Sequence, residues 1–161
     1  MRLDGDLVAV GTCFAPLDDV PDAAQRAASL REFADGRLVA ERRTAAWVWG
    51  AVFQPPTPIE LCTGHGARFA RAPSLGMVVR EVVIAADEVV RVEGASITSP
   101  ARTAADLVRF TAEWGPEQTD VARRVLENTG TSRDEVEVAL DRYKLTHRRR
   151  ALRRLALVSP N

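Results

Sequence analysis

The feature that most constrains the fold is an abrupt change from a strand pattern to a helix pattern within residues 97–110. Ser99 is a good N-cap, because its hydroxyl can accept a hydrogen bond from a backbone N–H one turn later. Pro100 suits the first helical position, because it has no N–H that needs a partner and its φ is preset. We therefore predict a helix from Pro100 to about residue 112. Its buried stripe is expected to contain Ala104, Leu107, Val108 and Thr111.

Strand patterns lie before this point and helix patterns follow it. The upstream segments predicted as strands are 7–10, 13–16, 38–40, 59–63, 77–84, 89–92 and 95–98, with helices at 18–33 and 44–50. Downstream of it, three more helices are predicted. The first spans 117–129, the second begins after a cap at residue 131 or 132, and the third spans 147–157. This order predicts an α+β fold in which a small mixed or antiparallel β-sheet packs with helices. The chain is expected to end in a C-terminal bundle of about four helices.

Composition excludes several classes of protein. A chain of 161 residues, 46% hydrophobic and 27% charged, can bury a core and is neither disordered nor membrane-spanning in character. No run approaches the roughly 18 apolar residues of a spanning helix, and the N-terminus lacks the apolar core of a signal peptide. The two cysteines, Cys13 and Cys62, are interpreted as buried thiols in a reducing compartment. We expect a soluble cytoplasmic protein without a membrane partner.

Three blocks of the sequence, in this order, resemble AbiEi-family antitoxins of bacteria and related actinobacterial proteins. The blocks are RTAAWVWG at 43–50, VVRVEGASI at 89–97 and TSPARTAADL at 98–107. The resemblance covers roughly residues 3–155. The positions that match the family motif, to which we assign structural roles, are Thr98, Ser99, Pro100, Arg102, Thr103 and Asp106. Arg102 and Asp106 lie four residues apart and are expected to pair on an exposed helical face, which is worth only a few tenths of a kcal/mol.

The resemblance implies a non-enzymatic regulatory protein. In the family, the implied role is to neutralise a nucleotidyltransferase-like toxin by protein contact and to bind operator DNA through a winged helix-turn-helix. Residues 7–16 resemble the wing of that module, and we expect the helices that would precede the wing to be missing. We therefore expect a single domain, 1–161, with a wing-like hairpin remnant (1–17), an α/β core (18–98) and a helical part (99–161). A protein partner is expected more than base-specific DNA binding, and transcriptional regulation is a second implied role.

No residue set predicts catalysis, a cofactor or a metal site. Cys62 and His65 are three residues apart, but zinc needs three or four ligands and only Cys13 and His147 remain. The loop at 64–68 lacks the lysine of a P-loop, and Glu60 has no second carboxylate spaced for nuclease chemistry. We predict no enzymatic activity. A degenerate enzyme or small-molecule site around His65 is kept as an alternative.

A pair of tryptophans is one of two further features that indicate contact with a macromolecule. Trp47 and Trp49 are two residues apart, so on a helix they point to different sides. We expect one to anchor the core and the other to be half exposed, where it could contact a partner, although core packing for both is the favoured interpretation.

The C-terminal end is basic, whereas the rest of the chain is acidic. Seven cations and no carboxylate follow residue 141, so all 22 carboxylates lie before that point. The predicted contacts with nucleic acid or an acidic partner are Arg148, Arg149, Arg150, Arg153 and Arg154. Arg149, Arg150, Arg153 and Arg154 are expected to form one compact cationic face. A solvated helix face is the alternative, since cations are favourable near a helix C-terminus.

Overall fold

The computed structural model describes residues 7–10, 13–16, 21–33, 37–65, 76–143 and 147–158. The strands are β1 (Leu7–Val10), β2 (Cys13–Pro16), β3 (Val39–Ala40), β4 (Ile59–Gly64), β5 (Met77–Val82), β6 (Val89–Val92) and β7 (Ala95–Thr98). The α-helices are α1 (Ala23–Ser29), α2 (Arg42–Val48), α3 (Pro100–Phe110), α4 (Pro116–Thr129), α5 (Arg133–Asp141) and α6 (Arg148–Val158). Two short 3-10 turns occupy Arg31–Phe33 and Ala86–Glu88.

The strands form two sheets. A five-stranded mixed sheet has the order β5-β4-β3-β7-β6, in which β3 runs antiparallel to β4 and parallel to β7. β4 and β5 are parallel, and β6 and β7 form an antiparallel hairpin. β1 and β2 pair antiparallel in a separate two-stranded sheet, as predicted, although the turn at 11–12 lies outside the described residues. The predicted α+β fold, with four helices at its C-terminal end, is confirmed.

The hairpin β6–β7 leads the chain directly into α3. Its two-residue turn, Glu93–Gly94, has φ values of +47° and +85°, the left-handed pair that a type I′ turn requires and that glycine favours at the second position. One residue after β7, the Ser99 hydroxyl accepts from the Arg102 N–H at 3.3 Å, and Pro100 occupies the first turn of the helix. The predicted cap and helix start are therefore confirmed.

Helix α3 lies at the centre of the molecule. α2, α4, α5 and α6 all pack against it, and every residue from 102 to 109 is buried. Ala104, Leu107 and Val108 of the predicted stripe are buried, whereas Thr111 follows the last helical residue and is partly buried. The expected exposed face for Arg102 and Asp106 was wrong, because both are buried as well. Neighbouring helices cover α3 on all sides, and the small side chains of Thr103, Ala104 and Ala105 are compatible with that close approach.

Two helices begin at positions that differ from the predictions. α1 begins after Asp22, whose carboxylate accepts from the Gln25 N–H at 2.8 Å, rather than near residue 18. α2 begins two residues before the predicted position, and Glu60 on β4 accepts from the Arg43 N–H at 2.9 Å. This cap joins residues 17 apart in the chain, so local sequence does not reveal it. Residues 18–20, part of the predicted first helix, lie outside the described residues.

Candidate functional site

Two threonines of the motif fasten β7 to the first turn of α3. The Thr98 and Thr103 hydroxyls lie 2.7 Å apart, and the Thr103 hydroxyl is within 3.0 Å of the Thr98 and Ser99 carbonyl oxygens. Both side chains are fully buried. Because their polar atoms are satisfied by each other and by the backbone, these threonines stabilise the strand-to-helix junction.

The motif arginine, Arg102, binds two carboxylates in the interior. Its Nε donates to Asp106 Oδ2 at 2.9 Å and its Nη1 donates to Glu88 Oε2 at 2.9 Å. Arg102, Asp106 and Glu88 are 5%, 1% and 3% exposed. The predicted pairing of Arg102 with Asp106 is thus confirmed, but it is a buried pair, not a surface pair. We call these three residues with Tyr143 the α3 polar network.

Glu88 Oε2 is the acceptor that ties this network together. Besides Arg102, it accepts from the Ala85 N–H at 2.9 Å and from the Tyr143 hydroxyl at 2.6 Å. Within the described residues, Glu88 Oε1 and Asp106 Oδ1 are buried and have no hydrogen-bond partner. The network therefore combines one saturated carboxylate oxygen with two unsatisfied ones.

Burial and ion pairing have opposing effects on the pKa values of Arg102 and Asp106. Burial raises the pKa of Asp106 against the opposing effect of Arg102. Burial alone would lower the pKa of Arg102, but Asp106 and Glu88 outweigh it and raise that pKa. The pKa of Tyr143 is raised by burial and by its hydrogen bond to Glu88. The paired charges of the network join α3 to the 3-10 turn at 86–88. Tyr143, just after α5, adds a hydrogen bond to the same turn.

A pocket lies on the surface beside this network. It has a volume of about 430 Å³ and is bounded by the 3-10 turn at 86–88, the first turn of α3 and helix α5. Its charged lining residues are Asp87, Glu88, Asp134, Glu135 and Arg142. Its apolar wall includes Pro100, Ala101, Val138 and Ala139. We call it the acidic pocket.

A second internal ion pair joins α2 to the sheet. Arg80 on β5 donates to both carboxylate oxygens of Glu41, each at 2.6 Å, and Glu41 is 1% exposed. The guanidinium groups of Arg42, Arg80 and Arg109 lie 5.4, 5.5 and 5.9 Å from the centre of the Phe110 ring. Such cation–π contacts favour the charged arginines at the end of α3.

Two of the C-terminal arginines turn inward. Arg154, 9% exposed, donates to the carbonyl oxygens of Val108 at 3.1 Å and Thr111 at 2.8 Å. Arg150 donates to the Arg109 carbonyl at 3.0 Å. The predicted compact cationic face is therefore wrong for these two residues. The last carbonyls of a buried helix need donors, and these arginines supply them.

The other three C-terminal arginines are exposed. Arg148 pairs with Asp141 at 2.6 Å, whereas Arg149 and Arg153 have no ion-pair partner within the described residues. Arg149 and Arg153 are four residues apart and lie on the same side of α6. The proposed contact surface of this helix is thus reduced to these two cations.

Trp47 in α2 and Trp49, which follows the last residue of α2, lie in different environments. Trp47 is 1% exposed and belongs to the core. Trp49 is partly exposed, and its Nε1 donates to the Thr98 carbonyl at 3.1 Å. Trp47 thus anchors the core and Trp49 supports the strand-to-helix junction. A role of either in partner binding remains a prediction.

Cys62 and His65 do not come together with further ligands. Cys62 is 1% exposed, and its pKa is raised by burial and by the nearby Glu41 and Asp106. His65 is exposed, with its Nδ1 at 3.5 Å from Glu81 Oε1. Among the described residues no three His, Cys, Asp or Glu side chains are grouped to hold a metal ion. Residues 66–68 of the predicted loop lie outside the described part of the chain.

Sequence reasoning did not identify Glu88, Glu41, Arg80 or Tyr143 as members of these buried contacts. Glu88 lies 14 residues from Arg102 and 55 from Tyr143, so no helical or strand spacing relates them. The sequence carries no local signal for this contact, because a carboxylate just before the predicted strand at 89–92 is ordinarily exposed.

The fold and the network define the class of protein, an α+β domain in which the charged motif residues fix a central buried helix. The sequence model of the AbiEi antitoxin C-terminal domain family matches residues 36–157, and the chain belongs to this family. A comparison with curated proteins finds no match. The matched range contains the α3 polar network and excludes the hairpin at 7–16. None of the helices in the described segments is long and apolar enough to cross a membrane.

Proposed function

We propose that this chain neutralises a nucleotidyltransferase-like toxin in the cytoplasm by direct protein contact, without chemical modification of that toxin. The observation that carries the proposal is the antitoxin family assignment over residues 36–157. This assignment supports an antitoxin-like regulatory role and implies a protein toxin as the partner. The nucleotidyltransferase-like character of the toxin and the direct contact are what the resemblance to the family implies, and both are part of this proposal.

The placement of the motif residues supports a binding role. The charges of Arg102, Asp106 and Glu88 are engaged with one another in the interior, so they stabilise the domain that presents its surface. Outside this interior, large apolar side chains face solvent: Phe53 is 85% exposed, Val138 70% and Leu157 61%. Of these, Val138 lines the acidic pocket, where charged groups surround the apolar atoms, an arrangement that is typical of protein-binding surfaces.

A groove provides a second surface of this kind. It has a volume of about 730 Å³ and lies between the start of α4 and the end of α6. Trp114, Pro116 and Leu157 provide its apolar part, and Glu117, Asp120 and Arg123 provide its charged rim.

Co-expression tests the proposal. The gene next to the one that encodes this chain is examined for a nucleotidyltransferase signature, and its product is expressed alone and together with the tagged chain. We expect growth arrest with the toxin alone, growth with both proteins, and a complex that survives affinity and size-exclusion chromatography. Growth arrest that persists when the chain is present at equal or higher amounts would refute the proposal.

Nucleic-acid binding through α6 is the second candidate, favoured by the exposed Arg149 and Arg153. Phosphate contacts carry no sequence information, so this candidate is nonspecific binding, and operator binding with transcriptional regulation would need base contacts in addition. Phosphate contacts of two cations must weaken as salt rises, so a gel shift over a salt series measures them directly. Ligand binding at the His65 loop is tested by thermal shift with divalent metals and nucleotides, where any stabilisation would support it.

A further inference from the structure

The exposed side of α6 carries two cations without counter-ions. Arg149 and Arg153 are exposed, and neither has an ion-pair or hydrogen-bond partner among the described residues. By contrast, Arg148 is paired with Asp141, and Arg154 is buried against the carbonyl oxygens at the end of α3. The positive charge that α6 presents to solvent without a counter-ion is therefore concentrated in two side chains.

An apolar groove lies one helical turn beyond these cations. Leu157, four residues after Arg153, is 61% exposed and lines the groove between α4 and α6 together with Trp114 and Pro116. A single exposed leucine is ordinary, but this one shares its groove with two other apolar side chains. Trp114 is held in place from below, since its ring lies 4.9 Å from the guanidinium of the buried Arg154. The groove is therefore a preformed apolar site.

The cations and the groove form one continuous surface with a helical repeat. Arg149, Arg153 and Leu157 follow one another at intervals of four residues, which places them about 6 Å apart along one side of α6. A second helix laid along α6 would have the same repeat, because its own side chains at i, i+4 and i+8 also share one side. We call these three residues, with the groove, the α6 surface.

The rim of the groove distinguishes between a nucleic acid and an acidic protein segment. Glu117 and Asp120 line the groove with Leu157, and Asp120 is already paired with Arg123 at 2.7 Å. A nucleic acid carries a charge at every phosphate, so a strand that continued from the arginines into the groove would meet these carboxylates. A protein helix can place carboxylates opposite the arginines and an apolar side chain in the groove. The distribution of charge therefore favours an acidic amphipathic helix.

We propose that the α6 surface binds an acidic amphipathic helix of the toxin, with two carboxylates on Arg149 and Arg153 and an apolar side chain against Trp114 and Leu157. This inference rests on the proposed function and names the chemistry of the toxin segment that is bound. Exposed ion pairs contribute little to affinity, so the apolar contact supplies most of the affinity and the arginines select acidic segments.

Peptide binding to the full chain tests this chemistry without the toxin. The probe is a capped, alanine-rich peptide of about 20 residues, long enough to form a helix in isolation. It carries leucine, glutamate, glutamate and leucine at i, i+4, i+8 and i+12, a pattern that reads alike in both directions. The control peptide has glutamine in place of both glutamates.

NMR titration of the chain measures the binding of the two peptides. We expect saturable shifts of the Leu157 methyl and Arg153 side-chain signals with the acidic peptide, and affinity lower by about threefold or more for the glutamine peptide. Equal affinities, no shifts, or shifts confined to residues outside the α6 surface would overturn the inference.

Variants of the chain connect this surface to the toxin. The double variant Arg149→Gln, Arg153→Gln is expected to weaken toxin binding by about three- to thirtyfold, and Leu157→Ser by about tenfold. Arg91→Gln is the control, because it removes an exposed cation on β6, outside α6 and the groove, and should leave toxin binding unchanged. Circular dichroism confirms that the variants fold.

The toxin experiment separates this inference from the proposed function. If the wild-type chain captures no toxin, the proposed function fails, and the assignment of the α6 surface to a toxin helix fails with it. If the wild-type chain captures toxin and the α6 variants capture it equally well, only the present inference is overturned. Weaker capture by these variants, with full capture by Arg91→Gln, is the result that we expect.

Two further measurements identify other occupants of the α6 surface. Loss of a DNA gel shift in the double arginine variant, with unchanged toxin capture, would assign the surface to nucleic acid. A wild-type dimer that Leu157→Ser converts to a monomer in size-exclusion chromatography with light scattering would assign it to a second copy of the chain. Either result would overturn the inference.

Discussion

Replacement of Arg102 by methionine tests whether the α3 polar network stabilises the domain. Methionine keeps much of the length of the side chain but leaves Asp106 without its hydrogen-bond donor and Glu88 without one of three. Removal of one partner from a buried ion pair typically lowers the free energy of unfolding by about 3–5 kcal/mol. For a chain of this size, each kcal/mol changes the melting temperature by about 2–4 °C, so we expect a decrease of about 6–20 °C.

Urea and thermal unfolding, followed by circular dichroism, measure this loss. Arg133→Met is the matched control, because Arg133 and Glu137 form an i, i+4 pair with the same polarity along the chain, at 33% and 39% side-chain exposure. That variant should lose at most about 0.5 kcal/mol. Equal losses in the two variants would refute the reasoning, since burial would then make no difference to the pair.

A second substitution identifies Asp106 as the source of the loss. Asp106→Asn in the Arg102→Met background removes the unpaired charge, and we expect it to restore stability with a coupling energy of about 1–3 kcal/mol.

The pH dependence of the stability of Arg102→Met also tests whether Asp106 causes the loss. Without Arg102, the folded-state pKa of Asp106 rises further above its unfolded value, so the folded state binds more protons and stability falls as pH rises. The single variant should therefore be less destabilised at pH 5 than at pH 7.5.

Three other predictions follow from particular contacts. Because burial and nearby carboxylates raise its pKa, the Cys62 thiol should resist iodoacetamide in the native chain and react after denaturation, as measured by mass spectrometry of its peptide; rapid native labelling would contradict its burial. Hydrogen bonding to Arg142 lowers the pKa of Asp87 from its ordinary 3.8, so this contribution is present above that pH and is lost as the pH falls further; Arg142→Gln should flatten this part of the acid-unfolding curve. If α6 binds nucleic acid, replacement of Arg149 and Arg153 by glutamine should reduce the slope of log affinity against log salt by about two units in gel shifts; an unchanged slope would assign the binding elsewhere.

Local chemistry made the junction between β7 and α3 predictable from sequence. The Ser99 cap, Pro100 and the turn at Glu93–Gly94 each act over two to four residues, so a short window contains all the necessary information. The alternation of β6 and β7 and the helical periodicity after residue 100 are local in the same sense. The pairing of Arg102 with Asp106 was predicted for this reason.

Long-range contacts account for what the sequence did not reveal. Glu88 and Tyr143 are 55 residues apart in the chain, and their contact depends on how the segment after α5 packs against the 3-10 turn at 86–88. Arg154 meets the Val108 carbonyl across 46 residues, so its inward position depends on how α6 crosses α3. A cationic pattern on an isolated helix predicts an exposed face, because helical periodicity contains no information about the unsatisfied carbonyls of a neighbouring helix.

The stoichiometry of toxin inhibition tests the central claim, that this chain acts by binding and not by making or breaking covalent bonds. A fixed amount of purified toxin is titrated with the chain, and the residual nucleotidyl transfer is measured immediately and after prolonged incubation. We predict a linear decrease that reaches its end at a fixed molar ratio and does not change with time. Inactivation of many toxin molecules by one chain, increasing with incubation, would show turnover and contradict the account.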